Sequence, residues 1–251
     1  MFVKFVENIG SRVIDYSIST YAFFIFLFQS LGNIFLPRNY GKSSRIIFVE
    51  QIYLSGIRNL FSFIFLALFL GSALLVLAIS FSISFNLVDQ MGKLLILFVI
   101  NEFSPFFTAI FFVLVYSLSL QEKIHDMKKE QNVLGSKVYI PKLITGLFIV
   151  PLMALLFATI MIASGYIVSS LYLNIDFMTY KNMIITSINF KNILVLLIKG
   201  AIFGFICVFI PLYSGHIRKS ASDVTRLVIK NLIIILSMLI LVESLFILIL
   251  Y

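Results

Sequence analysis

Three ionisable residues stand inside long apolar stretches of this chain: Glu102 in "VINEFSPFFTAIFF" (99–112), Lys199 in "VLLIKGAIFGF" (195–205) and Glu243 in the terminal run 232–251. A charge at the centre of a bilayer costs about 2.5–3.5 kcal/mol on insertion scales, so each needs a partner or a wet cavity. Two acids and one lysine can knit helices together by salt bridges, relay protons, or form a polar rim on a substrate pathway. Spacing alone leaves these open. Pro105, three residues after Glu102, cannot donate a hydrogen bond to the carbonyl of Asn101, four residues back. Pro151 and Pro211 free the carbonyls of Leu147 and Cys207 in the same way. Such loosened backbone is tolerated at membrane depth where it is buried in protein or lines a cavity, which favours a cavity beside Glu102.

Other chemistries find little support. "YGKSS" (40–44) contains the GKS of a phosphate loop, but the glycine required five positions before Gly41 is Leu36, so no cradle of backbone amides is expected. No paired-histidine or cysteine-rich spacing suggests a metal site; His125 and His216 fall in expected loops, and the single cysteine, Cys207, reads as packing. No serine stands in a nucleophile-elbow context, and no residue is assigned a catalytic role.

The elements that must position the three charges follow from composition. A chain of 251 residues that is 61% hydrophobic and 12% charged is an integral membrane protein, since soluble domains carry about twice that charge. Five runs are long enough to cross a bilayer at about 20 residues per helix: 60–85, 94–120, 143–173, 193–213 and 232–251. A shorter run, 21–36, carries Gln29, Ser30, Gly32 and Asn33, and with the mixed segment 2–16 it reads as helix lying in the interface. The reading is therefore an all-α membrane protein, with an amphipathic, interfacial N-terminal region at 1–45 and a five-span domain at 46–251.

Basic residues set the expected orientation. Arg38, Lys42 and Arg45, then Lys123, Lys128, Lys129, Lys137 and Lys142, then Arg218, Lys219, Arg226 and Lys230 fall in the segments 37–50, 121–142 and 215–230; the opposite loops hold Lys93, Lys181 and Lys191. The bias places the first set in the cytoplasm and the C-terminus at the outer face. It accounts for most of the +8 net charge as a topology signal, not a nucleic-acid footprint. At a rise of ~1.5 Å per residue, Glu102, Lys199 and Glu243 then lie roughly 9–12 Å below the outer ends of their spans, one shared layer.

Four stretches together resemble the MlaE (YrbE) family of permeases, which are subunits of ABC transporters that work with MCE-domain proteins. "EQIYLSGIRNL" (50–60) is similar to the family's entry to the first span, and "NEFSPFFTAI" (101–110) matches its R-E-L-G-P-V-L-T-A-L at Glu102, Pro105, Thr108 and Ala109. Lys199 and Phe203 fall on the family's fourth span; Val224, Arg226, Lys230 and Glu243 fall on its ending, with Glu243 at an acidic position. Asn101 departs from the family's arginine, and the glycine-rich segment after the second span has become "LVYSLSL". The cytoplasmic helix that meets the ATPase is reduced to Glu130, Gln131, Val133, Leu134 and Gly135.

The resemblance implies a multi-pass permease of a bacterial inner membrane, with a periplasmic C-terminus, that works as a homodimer with a separate ABC ATPase subunit and a periplasmic MCE-domain protein. It implies movement of phospholipid or a related hydrophobic molecule between the inner membrane and the outer envelope. The chain itself would be a transport subunit, not an enzyme; ATP and magnesium would belong to the partner, with no cofactor here. Glu102, Asn101, Pro105, Lys199 and Glu243 are the expected lipid-cavity residues, and Lys199 is the candidate replacement for the missing arginine. The rival readings are a proton- or ion-coupled secondary transporter or channel using Glu102 and Lys199, and a membrane scaffold in which the acids only hold helices together.

Overall fold

A computed structural model describes residues 20–85, 90–117, 119–120, 136–217 and 224–250. Among these the chain is helical and contains no strand. In order the helices are α1 (Thr20–Ile34), α2 (Lys42–Ser55), α3 (Leu60–Ser84), α4 (Gly92–Ser117), α5 (Ser136–Leu173), α6 (Phe177–Ser187), α7 (Phe190–Ile217) and α8 (Val224–Leu250). The five expected spans are present as α3, α4, α5, α7 and α8, each long and apolar enough to cross a bilayer. Helix α1, at 15 residues or about 22 Å, is too short to cross the hydrocarbon core alone. It docks instead: Phe23 meets Phe209 and Tyr213 edge-on at 5.3 and 4.9 Å, and the Asn33 amide donates to the Tyr139 hydroxyl at 2.9 Å. Residues 1–19 lie outside the described residues.

The centre of the bundle is the crossing of α5 and α7, and glycines make it possible. A Cβ at Gly204 would sit 2.0 Å from the Gly146 carbonyl oxygen, and one at Gly146 would sit 2.5 Å from that of Gly204. Gly200 rests one turn earlier against Pro151. The "GAIFG" of α7 is thus a small-xxx-small face, which lets two backbones touch where lipid supplies no hydrophobic drive for helices to associate. Helix α8 stands outside this core and turns one narrow stripe inward: Asn231, Ile235 and Leu239, every fourth residue, with Glu243 next in the series.

Two segments differ from the sequence expectation. Residues 136–142, read as loop, form the first two turns of α5, and Lys142, counted among the loop cations, is buried there. Residues 42–50, read as a cytoplasmic segment, belong to α2, which is inverted relative to a soluble helix. Its buried side chains are Ser44, Gln51 and Ser55, whereas Ile46, Val49 and Tyr53 are exposed. In a membrane protein the outward face meets apolar surroundings, so polar residues gather where other helices offer partners. Gln51 accepts from the buried Tyr116 hydroxyl of α4 at 2.6 Å.

Helix α6 caps the loop between α5 and α7. Asp176 caps its N-terminus, accepting from the Thr179 hydroxyl and from the backbone N–H groups of Thr179 and Met178, which hold its carboxyl below the usual range. The Tyr180 hydroxyl donates to the Ile162 carbonyl and fixes α6 to α5; burial pushes its pKa up to about 12.

Candidate functional site

The local irregularity of α4 creates the site. From Leu97 to Phe103 the helix widens to a π-helical turn, closed where Ser104 donates both its backbone N–H and its hydroxyl to the Val99 carbonyl. Such wide turns often mark functional positions, and this one carries Asn101 and Glu102. Pro105 follows directly, buried, and withholds the N–H that a regular helix would give the Asn101 carbonyl.

Lys199, on α7, takes that carbonyl. Its ammonium donates to the Asn101 backbone oxygen at 2.9 Å, to Glu102 Oε2 at 2.6 Å and to Glu243 Oε1 at 2.9 Å. The Phe246 ring lies 5.7 Å from the same nitrogen. One point thus joins α4, α7 and α8, and the shared layer read from span depths is a set of direct contacts. An ammonium has three protons, and all three are used within the protein. The Lys199 side chain is fully buried, whereas those of Glu102 and Glu243 remain 12% and 15% accessible. The two glutamate side chains are therefore partly accessible where the lysine is not. An incoming phosphate would have to displace one of these contacts to meet Lys199, the role the sequence suggested for it.

The same device recurs at two other prolines. Pro211 frees the Cys207 carbonyl, which accepts from the Ser117 hydroxyl of α4 at 2.8 Å. Pro141 frees that of Lys137, which accepts from Ser44 of α2 at 3.1 Å. Buried backbone acceptors left empty are costly, so each proline fixes a neighbouring helix by demanding a donor from it. Ser44, Gln51, Ser117 and the Gly200–Gly204 face were not singled out as positioning residues from the sequence. The prolines and the "GAIFG" spacing are the signals that could have found them.

Glu130, Gln131, Val133, Leu134 and Gly135, the expected ATPase contact, lie outside the described residues. So does His125. Among the described residues no group of three His, Cys, Asp or Glu side chains clusters as a metal site would require.

The order of these features along the chain coincides with one permease profile, that of "Permease MlaE", which matches residues 48–249. The chain belongs to the MlaE permease family. The match runs from the middle of α2 to the end of α8 and takes in all three charges; α1 precedes it. Curated relatives cover nearly the whole length at low identity. The intermembrane phospholipid transport system permease protein MlaE of Haemophilus influenzae is 22% identical over 253 residues, 95% of each chain. Probable ABC transporter permease proteins of Rickettsia typhi and Rickettsia bellii are 22% and 23% identical, covering 98% and 90% of this chain and 99% and 90% of their own. Like these, the chain is a divergent, multi-pass ABC transporter permease.

Proposed function

We propose that this permease moves phospholipid, or a related hydrophobic molecule, between a bacterial inner membrane and the outer envelope, powered by a separate ATPase. The observation that carries the reading is the Glu102–Lys199–Glu243 triad, held in an MlaE-family membrane domain with its two glutamate side chains partly accessible. The Haemophilus relative's name, a phospholipid transport permease, supports the substrate class, and the Rickettsia names support an ATPase partner. In this reading two copies of the chain enclose the lipid cavity, with Glu102 at its mouth, and an MCE-domain protein receives or delivers lipid on the outer side. The segment 121–142, with Glu130, Gln131, Val133, Leu134 and Gly135, would meet the ATPase.

The test is transport by the reconstituted complex. Glu102→Gln keeps the shape of the side chain and removes its charge, so the variant should fold, hydrolyse ATP with its partner, and transport fluorescent phospholipid at least tenfold more slowly, the loss expected for a hydrogen bond to a charged group. Wild-type transport by this variant would leave Glu102 as helix glue, and transport driven by a proton gradient without ATP would favour a secondary transporter.

Orientation is tested separately. Cys207 is fully buried, so it contributes little background to thiol labelling. Ser136→Cys should react with an impermeant reagent from the cytoplasmic side and Asn182→Cys from the outside. Reversed labelling would overturn the orientation and the periplasmic C-terminus with it.

A further inference from the structure

A cleft of about 110 Å³ opens between α2 and α5, lined by Tyr40, Ser44, Arg45, Phe48, Pro141 and Ile144. None of these residues belongs to a helix that carries the triad. The walls are held from both sides: the Tyr40 hydroxyl donates to the Ile34 carbonyl at the end of α1, and the Ser44 hydroxyl donates to the Lys137 carbonyl of α5. The cleft is therefore formed before anything enters it. The first and third candidate spans begin here, at Lys42 and Lys137, and long basic side chains at such ends reach the water–lipid interface. Lys42, Arg45 and Lys137 are exposed, and the ion pairs among the described residues both belong to Lys199. No described residue neutralises these three charges. Helices α1 and α5 contain no acid, and the single acid of α2, Glu50, stands five residues beyond Arg45, about 140° around the helix.

We infer that this cleft binds an anionic phospholipid of the adjoining membrane leaflet, its phosphate held by Arg45 with Lys42 and Lys137 and an acyl chain laid along α2. The inference stands apart from the lipid-transport reading, since it concerns a lipid bound at the edge of the bundle and not the cargo. Spacing on α2 matches the shape of such a ligand. Arg45, Val49 and Tyr53, at i, i+4 and i+8, form one outward stripe with a cation at its head and large apolar side chains below. Phe48, Pro141 and Ile144 give the cleft an apolar floor. A free phosphate would meet the cations and leave the floor and the stripe unused, whereas a zwitterionic lipid would cover the apolar surface and bring no net charge. An anionic lipid satisfies both. The guanidinium of Arg45 suits a phosphate in particular, because its planar fork can donate two parallel hydrogen bonds.

The chain contains no tryptophan, so a single one placed in the cleft reports on that site alone. The full chain carrying Phe48→Trp is reconstituted in phosphatidylcholine vesicles containing a fixed fraction of brominated phosphatidylglycerol or brominated phosphatidylcholine with identical acyl chains, and quenching of the indole is measured. Phosphatidylglycerol should be preferred by about fivefold or more, the factor that one basic residue contributes near an anionic surface. Arg45→Gln should lower the preference about fivefold, and added salt should shrink it. Ile144→Trp, on the α5 wall, repeats the measurement where Phe48→Trp folds poorly; Phe81→Trp, on the exposed face of α3, gives the reference for lipid contact outside the cleft. A preference at the cleft no greater than at Phe81→Trp overturns the inference and leaves the basic residues as a topology signal. So does a preference that survives both Arg45→Gln and Lys42→Gln, and so does the absence of quenching by either lipid, which would mean that protein covers the cleft.

Discussion

Lys199→Met should destabilise the permease by about 3–5 kcal/mol, because it removes the cation bonded to both carboxylates in a low-dielectric setting. Lys199 is fully buried and bonded to Glu102, to Glu243 and to the Asn101 carbonyl, so one substitution breaks three contacts that tie α4, α7 and α8 together. The thermal midpoint in detergent should fall accordingly. The physical cause can be isolated by adding Glu102→Gln and Glu243→Gln to Lys199→Met. Replacing a whole buried ionic network by neutral groups of similar shape is often nearly neutral, so the triple variant should recover most of the lost stability. A triple variant no more stable than Lys199→Met would mean that the loss comes from packing and the orphaned Asn101 carbonyl instead of from charge.

Gly204→Ala is expected to be at least as damaging, for a reason that involves no charge. The added Cβ would lie 2.0 Å from the carbonyl oxygen of Gly146, a backbone atom that no rotamer change can move. Helices α5 and α7 must separate, and since they form the centre of the bundle, the cost should be about 3 kcal/mol or more, the upper end for overpacking. Two other glycines calibrate the effect. At Gly71 the new Cβ would meet Met161 Cγ at 2.6 Å, but a flexible thioether can swing aside, so Gly71→Ala should cost less than Gly204→Ala. At Gly32 nothing lies within 4 Å, and Gly32→Ala within α1 should gain up to about 1 kcal/mol from helix propensity. Thermal midpoints that fail to rank Gly32→Ala above Gly71→Ala above Gly204→Ala would show that the close approach does not govern the crossing.

The sequence alone determined the five spans, because the length of an apolar run is set by bilayer thickness and needs no knowledge of neighbours. Charge cost at membrane depth singled out Glu102, Lys199 and Glu243, and equal depth suggested that they share a layer. Proline chemistry identified Asn101 as the owner of a freed carbonyl. Contact was a different matter. That Lys199 supplies the donor for Asn101 depends on how α7 rotates against α4, which side chains some hundred residues apart decide together. The same holds for Ser117 at Cys207 and Ser44 at Lys137. Helix α2 and the early start of α5 escaped the reading because lipid exposure reverses the usual sign of amphipathicity: Ile46, Val49 and Tyr53 look like a buried face, yet they point outward, while Ser44, Gln51 and Ser55 face in. Which member of the triad is fully buried was also beyond the sequence, since two acids and a lysine have the same composition whichever one is buried. Tertiary packing buried the ammonium completely and left the two glutamate side chains partly accessible, because only the ammonium, with three protons, could satisfy three acceptors from two other helices at one point.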